Sequence, residues 1–264
     1  MTNAAPFDGL AADYDDTFTK GEIGRLLRAA TWRHMDRAFS AGDRILELNC
    51  GTGEDTLRLA RRGCDVLATD VSSEMLAATR AKCGQSSAVG KIATQVLAIE
   101  ELDCLRDHAM APFDGVLSNF GGLNCVPDLT NVSEHMAQIV RPGGTALFTV
   151  MGPWVPWEWA WYLARLNPAK AFRRLRKGGT NWRGMTITYP SIGELTRAFA
   201  PHFTVQGTAA IGAFIPPSYA ENWATGRKRL LARLDRFERR FETSWPLPWL
   251  ADHYLVRMER NEAP

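Results

Sequence analysis

Gly51 and Gly53 break an apolar run, Ile45 to Leu48, and Asp70 closes a second apolar run that begins at Cys64. Between them, Leu57, Leu59 and Ala60 recur at helical spacing. The pattern predicts a strand, a tight turn, a helix over Glu54 to Arg62 and a second strand. Such a unit forms a right-handed parallel crossover, which brings the glycine turn and the second strand's carboxyl end to one edge of a sheet. Glycine lets backbone come close to a ligand, and Asp70 there can accept hydrogen bonds from both hydroxyls of a ribose.

The rest of the turn narrows the ligand. A pyrophosphate needs an open helix N-terminus and usually a third glycine, but Thr56 holds that position and Glu54 and Asp55 fill the first helical turn. Two carboxylates there complement the helix dipole and repel phosphate. The site therefore suits a nucleoside without phosphates, and S-adenosyl-L-methionine, with its sulfonium and ammonium, is such a ligand. An NAD-dependent dehydrogenase shares the fold type and fits this turn poorly. A non-catalytic nucleoside-binding regulator could keep Asp70 and lack the chemistry.

The motif Glu47-Leu48-Asn49-Cys50-Gly51-Thr52-Gly53 resembles the first motif of the class I S-adenosylmethionine-dependent methyltransferases, including those of the ubiquinone-biosynthesis type. Asn49 stands where the family usually has glycine. Asparagine tolerates positive φ better than other side-chain-bearing residues, so the turn is expected to survive slightly altered. The resemblance covers residues 7 to 151, and it implies a doubly wound α/β fold: a mostly parallel seven-stranded sheet whose last strand is antiparallel.

The resemblance also implies roles. A Phe-Asp-x-x-Ala-x-x-Tyr-Asp leader begins at Phe7, and its Tyr14 would close over the transferred methyl; packing within an N-terminal helix is the plainer role for it. Glu47, Asn49, Gly51, Gly53 and Asp70 would hold the nucleoside, with Val71 and Met75 flanking adenine. Ala98 replaces the aspartate that most relatives place at the end of the third strand. Adenine recognition then falls to the Ile99 backbone, apolar contact and Glu100. Asn119 and Phe120, leaving a fourth strand over Phe113 to Ser118, would face the methionine part, and Asn124 would enter the substrate side. Arg141-Pro142-Gly143-Gly144 resembles the family's turn into a fifth strand, Thr145 to Met151.

The remaining elements follow from periodicity. Helices are expected over Gly24 to Phe39, from Ser72 or Ser73 to about Lys82, over Asn131 to Val140, Ile192 to Phe199 and Tyr219 to Phe241. Strands are expected over Ala93 to Ile99, Phe203 to Ala210 and His253 to Glu259. The chain is read as one domain, 1–264, with an N-terminal helical lid over 1–40 and an insertion over 152–190.

That insertion crowds Trp154, Trp157, Trp159, Trp161 and Tyr162 together, and follows them with Arg165, Lys170, Arg173, Arg174, Arg176, Lys177 and Arg183 without an acidic residue. It is expected to be a lid over a small-molecule or lipid-like substrate. Peripheral contact with an anionic membrane through 154–177 is an overlapping reading, and tryptophans buried on the core with a solvated basic rim a third. Oligomeric state is not legible.

Methyl transfer by in-line displacement depends on alignment and water exclusion, and requires no metal. A hydroxyl acceptor would also want a base. Among the five histidines His135 is the best placed, and the catalytic candidates are Tyr14, Asn124 and His135, for an O, N or C acceptor. A formal charge of +2 and the absence of a Pro-Pro-aromatic sequel to Asn119 argue against a nucleic-acid partner. The five scattered cysteines and an N-terminus without a basic start or apolar core fit a reduced, cytoplasmic protein. The most apolar window, Thr145 to Leu166, is interrupted by Pro153, Pro156, Glu158 and Arg165, so a bilayer span is not expected.

Overall fold

A computed structural model describes Gly9 and residues 21–262. Tyr14 and all of the leader but Gly9 lie outside the described residues, as does nearly half of the expected N-terminal lid over 1–40. Helix α1 (Glu22–Ala38) is followed by β1 (Arg44–Leu48), α2 (Glu54–Arg61), β2 (Asp65–Asp70), α3 (Ser73–Gly84), β3 (Ile92–Val96), β4 (Phe113–Ser118), α4 (Leu129–Ile139) and β5 (Val140–Met151). The insertion contributes α5 (Pro156–Leu163), α6 (Pro168–Ala171) and a hairpin of β6 (Thr180–Trp182) and β7 (Met185–Ile187). The chain then adds α7 (Ile192–Phe199), β8 (Phe203–Ile211), α8 (Glu221–Ala224), α9 (Lys228–Phe241) and β9 (His253–Arg260).

Seven strands form one sheet in the order β3-β2-β1-β4-β5-β9-β8. Strands β1 to β5 pair in parallel, and β9 runs antiparallel between β5 and β8. The chain's last strand is therefore antiparallel, as the element order implies. Strands covered on both faces are near-continuously apolar, and β1, β2 and β4 obey this because helices cover both sides. One core layer gathers Leu46, Leu48, Val116 and Phe148 with α4 and α7; the other gathers Ile45, Val66, Leu117 and Leu147 with α1.

Three expectations need correction. Strand β3 ends at Val96, and Ile99 instead opens a 3-10 segment to Leu105. The expected turn over Arg141 to Gly144 lies inside β5, as a register shift against β4 between Phe113 and Gly115. The expected helix over Tyr219 to Phe241 is two helices, because Gly226 at φ 82° breaks it. Its second part, α9, carries a buried carboxylate: Glu238 accepts from the backbone N–H groups of Gly212, Ala213, Phe214 and Ile215, at 2.6 to 3.3 Å.

Distant segments fix α1 over the sheet edge. Glu221 accepts from the N–H groups of Glu22 at 2.6 Å and Ile23 at 3.0 Å, satisfying donors that a helix N-terminus leaves free. This registry puts the buried face of α1, Ile23, Leu27 and Arg28 among it, beside the carboxyl ends of β1 and β4.

Candidate functional site

The turn after β1 runs through left-handed backbone at Asn49 (φ 48°), Gly51 (φ 55°) and Gly53 (φ 80°). The tolerance expected of Asn49 is thus used, and its side chain is used as well. Asn49 Nδ2 donates to the Asn119 carbonyl at 2.7 Å, and Oδ1 accepts from Ser118 Oγ at 2.6 Å. A Cβ on Gly122 would stand 2.0 Å from that Oδ1, so the glycine leaves room for the bridge between the two loops. Gly51 faces open space, with nothing within 4 Å of where a Cβ would be, and lines the cavity. Gly53 does not line it; its Cβ would collide with Thr79, 2.7 Å away.

Asp70, at the end of β2, is 7% exposed. Its Oδ2 accepts from Gly51 N and its Oδ1 from Ser72 N, both at 2.9 Å, and Ser72 caps α3 through Met75 N. Each carboxylate oxygen carries a second acceptor site. The carboxylate therefore ties the glycine turn to the second strand and still lines the cavity.

At the N-terminus of α2 the two expected carboxylates face the cavity, each with partners. Glu54 pairs with Lys82 at 2.6 Å. Asp55 accepts from Arg28 Nη1 at 3.0 Å, Trp32 Nε1 at 2.6 Å and Asn119 Nδ2 at 2.9 Å. Arg28, whose guanidinium lies 5.3 Å from the Phe120 ring centroid, lines the cavity too. The sequence signal for it was slight: a base on the otherwise apolar face of α1 formed by Ile23, Leu27 and Ala30.

Glu47 sits behind the turn. It is not among the cavity-lining residues and accepts from Thr56 Oγ1 at 2.5 Å. Burial raises its pKa well above the usual carboxylate range and the Asp55 charge adds to this, against the Thr56 hydroxyl and Arg28. It therefore supports α2 from behind the turn, a correction to its expected direct contact.

The cavity encloses about 1020 Å³. Val71, Met75, Ala98, Ile99, Glu100, Asn119 and Phe120 all line it. Asn119 presents a pinned side chain, since Oδ1 accepts from Thr149 Oγ1 at 2.8 Å and Nδ2 bonds Asp55. Asn124 is corrected: it is fully buried and does not line the cavity. Its Nδ2 donates to the carbonyls of Met151 (3.0 Å) and Thr188 (2.7 Å), and its Oδ1 accepts from Met151 N (3.0 Å), so it clamps the insertion's return to the end of β5. His135 is also corrected. It lies on α4, with Nδ1 4.0 Å from Asp103, away from the lining residues.

The insertion does reach the cavity, through different residues than its tryptophan cluster. Lys170, Arg173, Arg176, Trp182, Met185, Ile187 and Tyr189 line it. Trp154, Trp157, Trp159 and Trp161 do not. Trp157 donates to the Ala213 carbonyl at 3.0 Å, Trp161 lies 5.9 Å from Tyr219, and Trp154 lies edge-on to Trp159 at 6.1 Å within the insertion. Beneath them Glu158, 0% exposed, holds Arg173 at 2.6 Å and Arg174 at 2.8 Å, and Arg174 reaches Asp252 at 2.6 Å. Burial alone would raise Asp252; Arg174 and the neighbouring His253 outweigh it and hold the carboxyl below its usual range. Sequence reasoning missed this network and His253, which lies edge-on to Phe120 at 5.5 Å and lines a smaller cavity of about 220 Å³. Among the described residues no helix is long and apolar enough to cross a membrane.

Residues 45–144 match the methyltransferase domain family. Demethylmenaquinone methyltransferase of Mycobacterium marinum is 34% identical over 144 residues, 53% of this chain and 55% of that protein. The chain thus spans about half the length of the curated relatives it matches. A solved S-adenosylmethionine-dependent methyltransferase from Mesorhizobium loti aligns over 89% of this chain and all of its own, with TM-score 0.57 and 19% identity. The N-methyltransferase NodS from Bradyrhizobium japonicum WM9, solved with S-adenosyl-L-homocysteine, aligns over 92% of this chain and 90% of its own, with TM-score 0.55 and 13% identity. At these identities the two structures establish likeness of fold alone.

Proposed function

We infer that this chain is a class I S-adenosylmethionine-dependent methyltransferase acting on a small or amphiphilic acceptor. The observation that carries the reading is the open backbone at Gly51 beside the Asp70 carboxylate, in a cavity that continues beneath the insertion. The domain match over 45–144 supports it. The cavity fits the cofactor chemically: a carboxylate suited to ribose hydroxyls, apolar Val71, Met75 and Ile99 for a base, and Glu54 and Asp55 near a cation. Relatives named for demethylmenaquinone support an aromatic, lipid-like acceptor of the quinone type.

Bound there, S-adenosylmethionine supplies an electrophilic methyl on a sulfonium. The chain's own residues have three tasks. Asp70 accepts from the ribose while its bonds to Gly51 and Ser72 hold the turn in place. Asn119, fixed by Asp55 and Thr149, and Phe120 form the wall at the methionine end. The insertion, 152–190, serves as the lid that orients the acceptor and excludes water; an oriented reactant pair is worth up to about 7–11 kcal/mol.

Calorimetric titration with S-adenosyl-L-homocysteine and with NAD tests the reading, followed by transfer of labelled methyl to a panel of hydroquinones, phenols and amines. Binding of the homocysteine derivative alone, with label transfer to a panel member, is the expected result. Preference for NAD, or cofactor binding without transfer to any class, would remove it.

A further inference from the structure

The cavity is electrostatically divided. Among the described lining residues every carboxylate, Glu54, Asp55, Asp70 and Glu100, comes from the nucleoside half, together with one base, Arg28, which is paired with Asp55, while the charged residues of the insertion are all bases, Lys170, Arg173 and Arg176. Their partners differ. Arg173 is neutralised by buried Glu158. Arg176 donates to the Ala169 carbonyl at 3.1 Å, and Lys170 stands over the Tyr162 ring at 4.7 Å, so neither has a carboxylate partner among the described residues. Met185, Ile187 and Trp182 give the same cavity an apolar wall.

Two cations that no described carboxylate partners, in a cavity whose nucleoside half carries Asp70 and Glu100, raise the local concentration of an anion and aim it. A nucleoside-bearing sulfonium is drawn to the opposite end by the same division. We propose that the methyl acceptor is an anionic amphiphile, whose carboxylate or phosphate rests on Lys170 and Arg176 and whose apolar body lies along Met185, Ile187 and Trp182. This rests on the methyltransferase reading of the same cavity and adds the charge class of its substrate. The acceptor is taken as a soluble molecule entering the cavity, not as the headgroup surface of a bilayer.

The test uses the full chain saturated with S-adenosyl-L-homocysteine, titrated with monomeric dodecyl phosphate, decanoate and dodecyltrimethylammonium. The two anions should bind at least about tenfold more tightly than the cation, and the preference should shrink between about 50 and 500 mM salt. The Lys170→Glu, Arg176→Glu double variant should lose about tenfold in anion affinity and keep its affinity for S-adenosyl-L-homocysteine within about twofold. That retained affinity also shows that the variant is folded. Equal affinity for anion and cation, an unaltered anion affinity in the variant, or binding to phosphatidylglycerol vesicles without binding of monomeric anions would overturn the proposal. Failure of S-adenosyl-L-homocysteine itself to bind would instead strike the methyltransferase reading, and the proposal with it.

Discussion

The two ends of the cavity are built by different means. The nucleoside end presents backbone: Asn49, Gly51 and Gly53 in left-handed conformations, held by Asp70 through Gly51 and Ser72. The insertion end faces the cavity with a hairpin of two three-residue strands and the short helix α6, and hangs on side chains that reach far along the chain. Arg174 bonds Asp252, and Asn124 bonds Thr188. One end can therefore keep its form while the other is altered, which is what a shared cofactor and a variable acceptor require.

The sharpest way to break this contrast is Glu158→Ala. It leaves Arg173 and Arg174 without their shared carboxylate in a site where Glu158 is 0% exposed. Removing one partner of a buried pair costs about 3–5 kcal/mol. The loss should appear as a lowered unfolding midpoint and faster proteolysis within 152–190, with S-adenosyl-L-homocysteine affinity nearly retained. Equal loss of cofactor binding would show that the two ends are one unit. Acid should act on the same anchor. Asp252 is held below the usual carboxylate range only in the fold, so its stabilisation is full above the unfolded pKa of about 4 and is lost as pH falls below it. Tryptophan fluorescence followed from neutral to acid pH should report the insertion loosening, and Asp252→Asn should flatten that acid limb.

At the other end, Asp70→Ala removes the tether to Gly51 and the acceptor proposed for the ribose hydroxyls. The expected cost is about 1–3 kcal/mol in cofactor affinity by calorimetry, with the unfolding of the insertion unmoved. An unchanged dissociation constant would refute the ribose assignment.

Legibility followed the range of the interactions. The β1-turn-α2-β2 unit could be read because each signal is local: apolar runs, two glycines, a carboxylate at a strand end, and Ser72 capping three residues ahead. The tryptophans announced an insertion but not their function, because what Trp157 and Trp161 pack against lies near 213–223. Asn124 looked free for a substrate since its consumers, Met151 and Thr188, are distant in sequence. The helix break at Gly226 was hidden by an amphipathic pattern that continues on both sides of it. The break matters because it frees Glu221 to cap α1 while Glu238 anchors the loop at 212–215.

The smallest expected effect lies at the departure from the family's glycine. Asn49→Gly removes the strain of a non-glycine residue at φ 48° and also removes the bonds to the Asn119 carbonyl and from Ser118. Each bond is worth about 0.5–1.5 kcal/mol, and the relief of strain offsets part of that. A net loss of about 1 kcal/mol in stability should therefore accompany only a small change in cofactor affinity, because Gly51 and Asp70 keep their mutual bond. Denaturant unfolding and calorimetry on one preparation separate the two quantities. A large fall in affinity would mean that Asn49 serves the ligand directly, and that the bridge between the two loops shapes the nucleoside end as much as the Gly51–Asp70 bond does.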